Sequence, residues 1–215
     1  MAERKRPRRT RERILETSLA LFNSFGEPHI TTADIADEMN ISPGNLYYHF
    51  RNKDEIIGEI YAAFEAKLLP LLAVPPDRRI DVEDLWLTLH LLFERMWEYR
   101  FLYRDLDELA SRSRKLGLRF GEVLRRGCTM VEELCRGMVA NGTMRASERE
   151  IAAVAQNVVL VATYWMSFER LVHPSRDKAA EMDLGRAAHQ VLALIAPYLV
   201  GDARVLLDRL GADYL

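Results

Sequence analysis

Between Thr31 and Lys53 the chain reads TTADIADEMNISPGNLYYHFRNK. Asn45, Tyr47, Tyr48 and His49 crowd into five positions, with Thr32 ahead of them and Lys53 behind. An asparagine amide offers a donor and an acceptor at once. Hydroxyl, phenol, imidazole and ammonium groups all hydrogen-bond anionic oxygens. This set suits recognition of base edges and phosphates, and no nucleophile is paired with a base. Elsewhere there is no nucleophile elbow, no phosphate-binding glycine loop and no metal-ligand spacing. The five histidines (29, 49, 90, 173, 189) are scattered. The expectation is therefore no enzyme, no metal and no cofactor.

Such a set works only if short elements aim it. Thr31 followed by Asp34 is a capping-box arrangement, with Asp in place of the usual Glu or Gln. Ile35, Ala36 and Met39 give the helix after it one apolar face. Asn40 stands where the chain must turn, and asparagine tolerates the left-handed conformation. Ser42 is a good N-cap, and Pro43 suits the first helical position. Leu46 and Phe50, four apart, pack inward together. That leaves Ser42, Pro43, Gly44, Asn45, Tyr47, Tyr48 and His49 for the outer face, with Gly44 permitting close approach. Two short helices joined by a tight turn, the second polar outside, predict a helix-turn-helix over residues 31–50. A preceding helix from about Arg8 to Phe25 buries Ile14, Leu15, Leu19, Phe22 and Phe25, and Gly26 stops it. Asn52 with Glu55 predicts a capped fourth helix whose N-terminus carries Lys53.

The run TTADIADEMNISPGNLYYHFRNKDEII, with ILETSLALFNSFG before it, resembles the signature of TetR-family regulators. The likeness covers roughly residues 8 to 65. It implies that Thr32, Tyr48, His49 and Lys53 lie at phosphates of double-stranded operator DNA. It also implies that Pro43, Gly44, Asn45 and Tyr47 meet the major groove, with Ser42 opening that helix. Asn40 replaces the commoner turn glycine, and Ala33 stands where some relatives carry a base-reading arginine. The resemblance further implies a homodimer and a C-terminal body that binds a small effector.

Charge agrees with a localised contact. The whole chain carries −2. Residues 1–13 hold Arg4, Lys5, Arg6, Arg8, Arg9, Arg11 and Arg13 against Glu3 and Glu12, a net +5 that leaves −7 on the remaining residues. A basic arm ahead of an acidic body brings only its front to nucleic acid. That arm either tracks the DNA or solvates as a tail. Cys128 and Cys135 are seven apart, about 10.5 Å at ~1.5 Å per residue, too far for a disulfide within one helix. They read as small buried hydrophobes. With no signal peptide and no run near ~18 uninterrupted apolar residues, the expectation is a cytoplasmic protein that spans no membrane.

The apolar spacing is three and four throughout, so the fold expected is all-α. The division predicted is a flexible basic arm (1–7), the DNA-binding domain (8–55), a linking helix (56–75) that meets Pro70, and an effector and dimerisation body (76–215) after Pro75-Pro76-Asp77. Helices are expected near 82–99, 101–112, 115–141, 148–171, 179–198 and 202–211, with turns at Asn141-Gly142 and His173-Pro174-Ser175. Trp86, His90, Met96, Trp97, Tyr103, Met130, Tyr164, Trp165 and Phe168 could line an apolar pocket. Val158, Ala162, Trp165, Ala188, Val191, Leu192 and Ile195 on two late helices suit a dimer bundle. Control by a protein partner or by cysteine redox state is the alternative to a small effector. The charged run Arg100, Arg104, Asp105, Asp107, Glu108 and Arg112 reads as a solvated or salt-bridged face.

Overall fold

The computed structural model describes residues 7–73, 81–173 and 184–212. The basic residues Arg4, Lys5 and Arg6, the Pro75-Pro76-Asp77 break, Pro174-Ser175 and the expected helix start near 179 lie outside these. Among the described residues the regular structure is helical, and the one β-bridge joins Met144 to Leu199.

The chain divides into two compact units, one made of residues up to Ala66 with Tyr99–Gly117, the other of Lys67–Glu98 with Leu118 onward. In the first, α1 (Pro7–Phe25) is followed by a 3-10 turn at Glu27–His29, α2 (Thr32–Glu38), α3 (Pro43–His49) and α4 (Lys53–Leu68). It also holds α6 (Phe101–Arg104) and α7 (Leu106–Arg112). Its core is Ile14, Phe22, Ile35, Leu46, Phe50, Ile56, Tyr61, Phe64 and Phe101, all essentially buried. The phenyl ring of Phe64 meets Tyr99 and Tyr103 with ring centres 5.5 and 5.9 Å away.

The single helix expected over 101–112 is two. They divide at Asp105, whose backbone leaves the helical region (φ −106°, ψ 20°) and whose carboxylate accepts the backbone N–H of Glu27 at 3.0 Å. Phe25, expected inside, is 62% exposed, since it falls on the outer side of the last turn of α1.

The second unit contains α5 (Val82–Glu98), most of α8 (Arg114–Ala140), α9 (Glu148–Val172), α10 (Leu184–Ile195) and α11 (Asp202–Ala212). The buried face of α10 (Ala187, Ala188, Val191, Leu192, Ile195) packs against α5 and α9. Gly127 lets α8 approach α9, because a Cβ there would meet Val159 at 3.3 Å. Ser147 and Glu150 form a full capping box at the start of α9.

Two of the sequence-read turns, at Asn40 and at Asn141-Gly142, close as Schellman motifs. At α8, Thr143 N–H bonds Met138 O and Gly142 N–H bonds Val139 O. At α2, Ile41 N–H bonds Ala36 O and Asn40 N–H bonds Asp37 O, both at 3.0 Å, with Asn40 at φ +53°. A left-handed conformation costs a β-branched residue about 1–2 kcal/mol and glycine nothing. Urea denaturation should therefore find Asn40→Gly neutral or slightly stabilising and Asn40→Val destabilised by about that amount. Equal losses in both variants would show that the asparagine side chain, not the backbone angle, holds the turn.

Candidate nucleic-acid interface

The caps read from the sequence are formed. The Thr31 hydroxyl accepts from Asp34 N–H, and the Asp34 carboxylate accepts from Thr31 N–H at 2.7 Å. The Thr31 hydroxyl also donates to the Asp34 carboxylate at 2.7 Å, and this bond, with the one from Thr31 N–H, holds the Asp34 carboxyl below its usual range. The Ser42 hydroxyl accepts from Asn45 N–H at 3.2 Å, with Pro43 at the first helical position. Asn52 Oδ1 accepts from Glu55 N–H, while the Glu55 carboxylate reaches Arg51 N–H instead of Asn52.

From α3, Leu46 and Phe50 point inward with at most 1% exposure. Behind Phe50 the Arg11 guanidinium lies 4.6 Å from the ring centre and pairs with Glu59 of α4. Arg11 therefore locks α1 to the end of α3 and to α4. Outward, Ser42, Pro43, Gly44, Asn45, Tyr47 and Tyr48 are exposed, with Tyr47 at 52% and Tyr48 at 79%, and His49 is half-buried. Tyr48 and His49 meet edge to face at 5.1 Å. The Thr32 hydroxyl lies 3.0 Å from the Tyr47 phenol, joining the start of α2 to α3. A Cβ on Gly44 would meet only Ser42 Oγ, at 4.0 Å, so the backbone there is bare toward solvent.

Lys53 is placed differently. Its ammonium donates to Glu27 O at 3.0 Å and Ile30 O at 2.9 Å, and pairs with Glu27 Oε1 at 2.7 Å. Glu27 is wholly buried. Arg112, the last residue of α7, donates to the same Oε1 at 2.9 Å and reaches Asp54 at 3.2 Å. The bond to Glu27 holds the Arg112 guanidinium above its ordinary range. Arg104 of α6 donates to the α1 carbonyls of Phe22 and Asn23. Asn23 Oδ1 in turn accepts from Phe101 N–H at 3.1 Å. Of the charged run 100–112, Arg104, Asp105 and Arg112 are thus spent on the α1–α2 connection, whereas Asp107 and Glu108 face solvent. Glu27 itself carried no signal in the sequence, because nothing local marks a lone glutamate as buried. Removing one partner of such a buried cluster costs about 3–5 kcal/mol.

Two family profiles match. "Bacterial regulatory proteins, tetR family" matches residues 14–60, and "Bacterial transcriptional repressor", of the TetR family, matches residues 63–207. A TetR-family transcriptional regulator from Marinobacter aquaeolei VT8 has a solved structure 37% identical to this chain. It covers 95% of this chain and 98% of its own, with a TM-score of 0.85.

The chain is a member of the TetR family.

It is a DNA-binding transcriptional regulator, and its helix-turn-helix is α2–α3. Among curated relatives, the probable acrEF/envCD operon repressor of Escherichia coli K12 is 38% identical over 53 residues, 25% of this chain and 24% of that protein. The transcriptional repressor KstR2 of Mycobacterium tuberculosis H37Rv is 39% identical over 54 residues, 25% of this chain and 27% of that protein. The chain therefore spans about a quarter of the length of these two relatives.

In the second unit the expected surfaces fall differently from the sequence reading. Val158, Trp165, Ala188, Val191, Leu192 and Ile195, expected at a dimer face, are buried within the chain's own core, and Ala162 is half-buried. Most of these side chains fill the packing of α10 against α9 and α5. The large apolar residues that α9 does expose are Leu160, Tyr164, Phe168, Leu171 and Val172. This helix is long and apolar enough, by length and composition alone, to cross a membrane, while Ile151, Val154, Ala155, Val158 and Trp165 on it are packed inside the unit.

The expected pocket residues do not form one group either. Tyr103 belongs to the first unit, where burial pushes its phenol far up, and Tyr164 and Phe168 face solvent. Met96 and Met130 are buried. Trp97 is half-buried, as are Trp86 and His90, whose rings stack 4.3 Å apart. A surface depression of about 680 Å³ lies on the first unit, lined by Leu21, Phe25 and Ile30 with Asp34, Asp37 and Glu38. Its carboxylates make it unsuited to a phosphate.

Both cysteines are free, and burial pushes both thiols up, Cys135 to about 11. The thiolate is the reactive form. Labelling of the native protein with a chromogenic disulfide at pH 8 should thus be slow at Cys128 and slower at Cys135, with rates still climbing above pH 9. A fast phase that plateaus near neutral pH would contradict this.

Proposed function

We propose that this protein is a ligand-responsive repressor that binds double-stranded operator DNA in the cytoplasm as a homodimer and leaves it when a small, apolar effector binds. The observation that carries the DNA reading is the outer face of α3. Asn45, Tyr47 and Tyr48 are exposed on it while Leu46 and Phe50 anchor it from within. Asn45 reads a base edge, because its amide pairs a donor with an acceptor. Pro43, Gly44 and Tyr47 meet the groove, and Thr32, Tyr48 and His49 hold phosphates. Ser42 keeps the end of α3 that enters the groove in register.

One recognition helix covers one half-site, so the reading requires a second copy, two heads about one DNA turn (~34–36 Å) apart. The exposed stripe of Leu160, Tyr164, Phe168 and Leu171, spaced four, four and three along α9, is the surface we assign to that copy.

Effector response rests on the second unit. The indole N–H groups of Trp86 and Trp165 are buried and reach no acceptor among the described residues. An unmet buried donor costs about 1–3 kcal/mol, which an acceptor on a bound molecule would relieve. Relatives of the same fold have been solved with small molecules. The repressor SmeT of the Stenotrophomonas maltophilia efflux pump SmeDEF, 23% identical, has a triclosan complex with a TM-score of 0.57. A transcriptional regulator from Saccharomonospora viridis, 19% identical, has a choline complex with a TM-score of 0.64. A coupling of about 1–3 kcal/mol between effector and DNA would change DNA affinity five- to 150-fold. The raised thiols weigh against redox control. A protein partner remains the second reading, and its support is that same exposed stripe on α9.

Two measurements test this. By fluorescence anisotropy on a selected operator duplex and on random duplexes, Tyr48→Ala should weaken all binding about equally, whereas Asn45→Ala should narrow the gap between operator and random DNA. Equal losses on every sequence for both variants would remove Asn45 from base readout. In sedimentation, Leu160→Glu with Phe168→Glu should convert a dimer to folded monomer. An unchanged dimer would move the interface off α9.

A further inference from the structure

The residues that flank the helix-turn-helix in sequence meet at one charged cluster. Glu27 comes four residues before Thr31, and Lys53 and Asp54 come three and four residues after Phe50. Lys53 closes this loop from the inside through Glu27 O, Ile30 O and Glu27 Oε1. Arg112 joins from α7 and holds both flanks at once, Glu27 on one side and Asp54 on the other. Two cations therefore share Oε1 of a fully buried carboxylate, and its Oε2 has no hydrogen-bond partner among the described residues.

An ammonium has three N–H donors. Those of Lys53 are matched by three acceptors inside the protein, and its side chain is 23% exposed. The guanidinium fork of Arg112 reaches Glu27 through Nη2 and Asp54 through Nε. A planar fork fixes angle as well as distance. Asp105 fixes the same turn from the other side by accepting Glu27 N–H.

We infer that Glu27, Lys53 and Arg112 are positioning residues for DNA recognition. They set the pose of α2–α3 by pinning both of its ends, and Lys53 acts as this internal pin and not as a phosphate ligand. The inference rests on the reading of α3 as the DNA-contacting helix. It assigns to α7 a direct part in that recognition, through one side chain that never touches DNA.

A pin and a phosphate ligand differ in their salt dependence. Each lost phosphate contact makes the slope of log K against log[salt] about 0.9 less negative. The probes are an operator duplex selected by the wild-type protein from random-sequence DNA, and a random duplex of the same length. Lys53→Met and Arg112→Met should each weaken the selected duplex about tenfold or more, with random-duplex affinity and salt slope unchanged. Circular dichroism establishes that the protein used is folded. Glu27→Gln combined with Arg112→Met should lose less than the two single effects together, because the two residues act through one contact. Arg112→Lys, which keeps charge but loses the fork, should fall between wild type and Arg112→Met. It also replaces that variant if the methionine protein does not fold.

A slope about 0.9 less negative in Lys53→Met would make Lys53 a phosphate ligand and overturn the assignment. Wild-type affinity in folded Arg112→Met, or in Arg112→Lys where it stands in, would overturn the role of α7. Failure of the wild-type protein to select any sequence would instead refute the DNA reading beneath the inference.

Discussion

The buried carboxylate of Glu27 is the constraint on which the first unit depends. A charge without water must be paired, or its desolvation opposes folding. Lys53 and Arg112 supply that pairing from two different helices. The cluster thus fastens three segments that are far apart in the chain, namely the α1–α2 turn, the start of α4 and the end of α7. Apolar packing of Phe22, Phe64 and Phe101 gives this unit its mass, but such packing is non-directional. Charged hydrogen bonds with defined geometry are what set the angle at which α2–α3 stands.

That arrangement leaves the DNA-facing surface with little work to do for stability. Tyr47, Tyr48 and Asn45 project from a short helix held behind by Leu46, Phe50 and the Arg11–Glu59 pair. A seven-residue helix is marginal by itself. Its caps and its support make it rigid enough to present side chains in a fixed register. Two of the cations beside the helix-turn-helix, Arg11 and Lys53, pair inside the unit, Arg51 after α3 is exposed, and the outer face of α3 itself is mostly neutral and hydrogen-bonding. The sequence carries its largest positive excess in residues 1–13.

The fold was legible wherever the information was local. Capping residues, the turn at Asn40 and the 3.6-residue spacing located α1–α3 and the start of α4 to within a residue or two, because caps and turns act over three or four positions. The outward set on α3 was legible for the same reason. What escaped was long-range. Glu27 gives no sign of burial in its own neighbourhood. The run 100–112 reads as surface charge until Asn23, Phe22 and Glu27 are brought against it. On α9 and α10 the sequence marks apolar residues without saying whether a neighbour in the same chain or a second copy covers them. Val158 and Val191 went to the core, and Leu160 and Phe168 stayed outside. Tyr103 was misplaced because a buried tyrosine and a pocket tyrosine look alike in one dimension.

In the proposed reading α3 contacts DNA as one of a symmetric pair. Hydroxyl-radical footprinting of the full-length protein on a duplex selected from a random pool tests it most directly. Two protected patches related by two-fold sequence symmetry are expected, with centres one helical turn or a multiple of it apart. A single protected patch, or protection that is even along the duplex and indifferent to sequence, would contradict it.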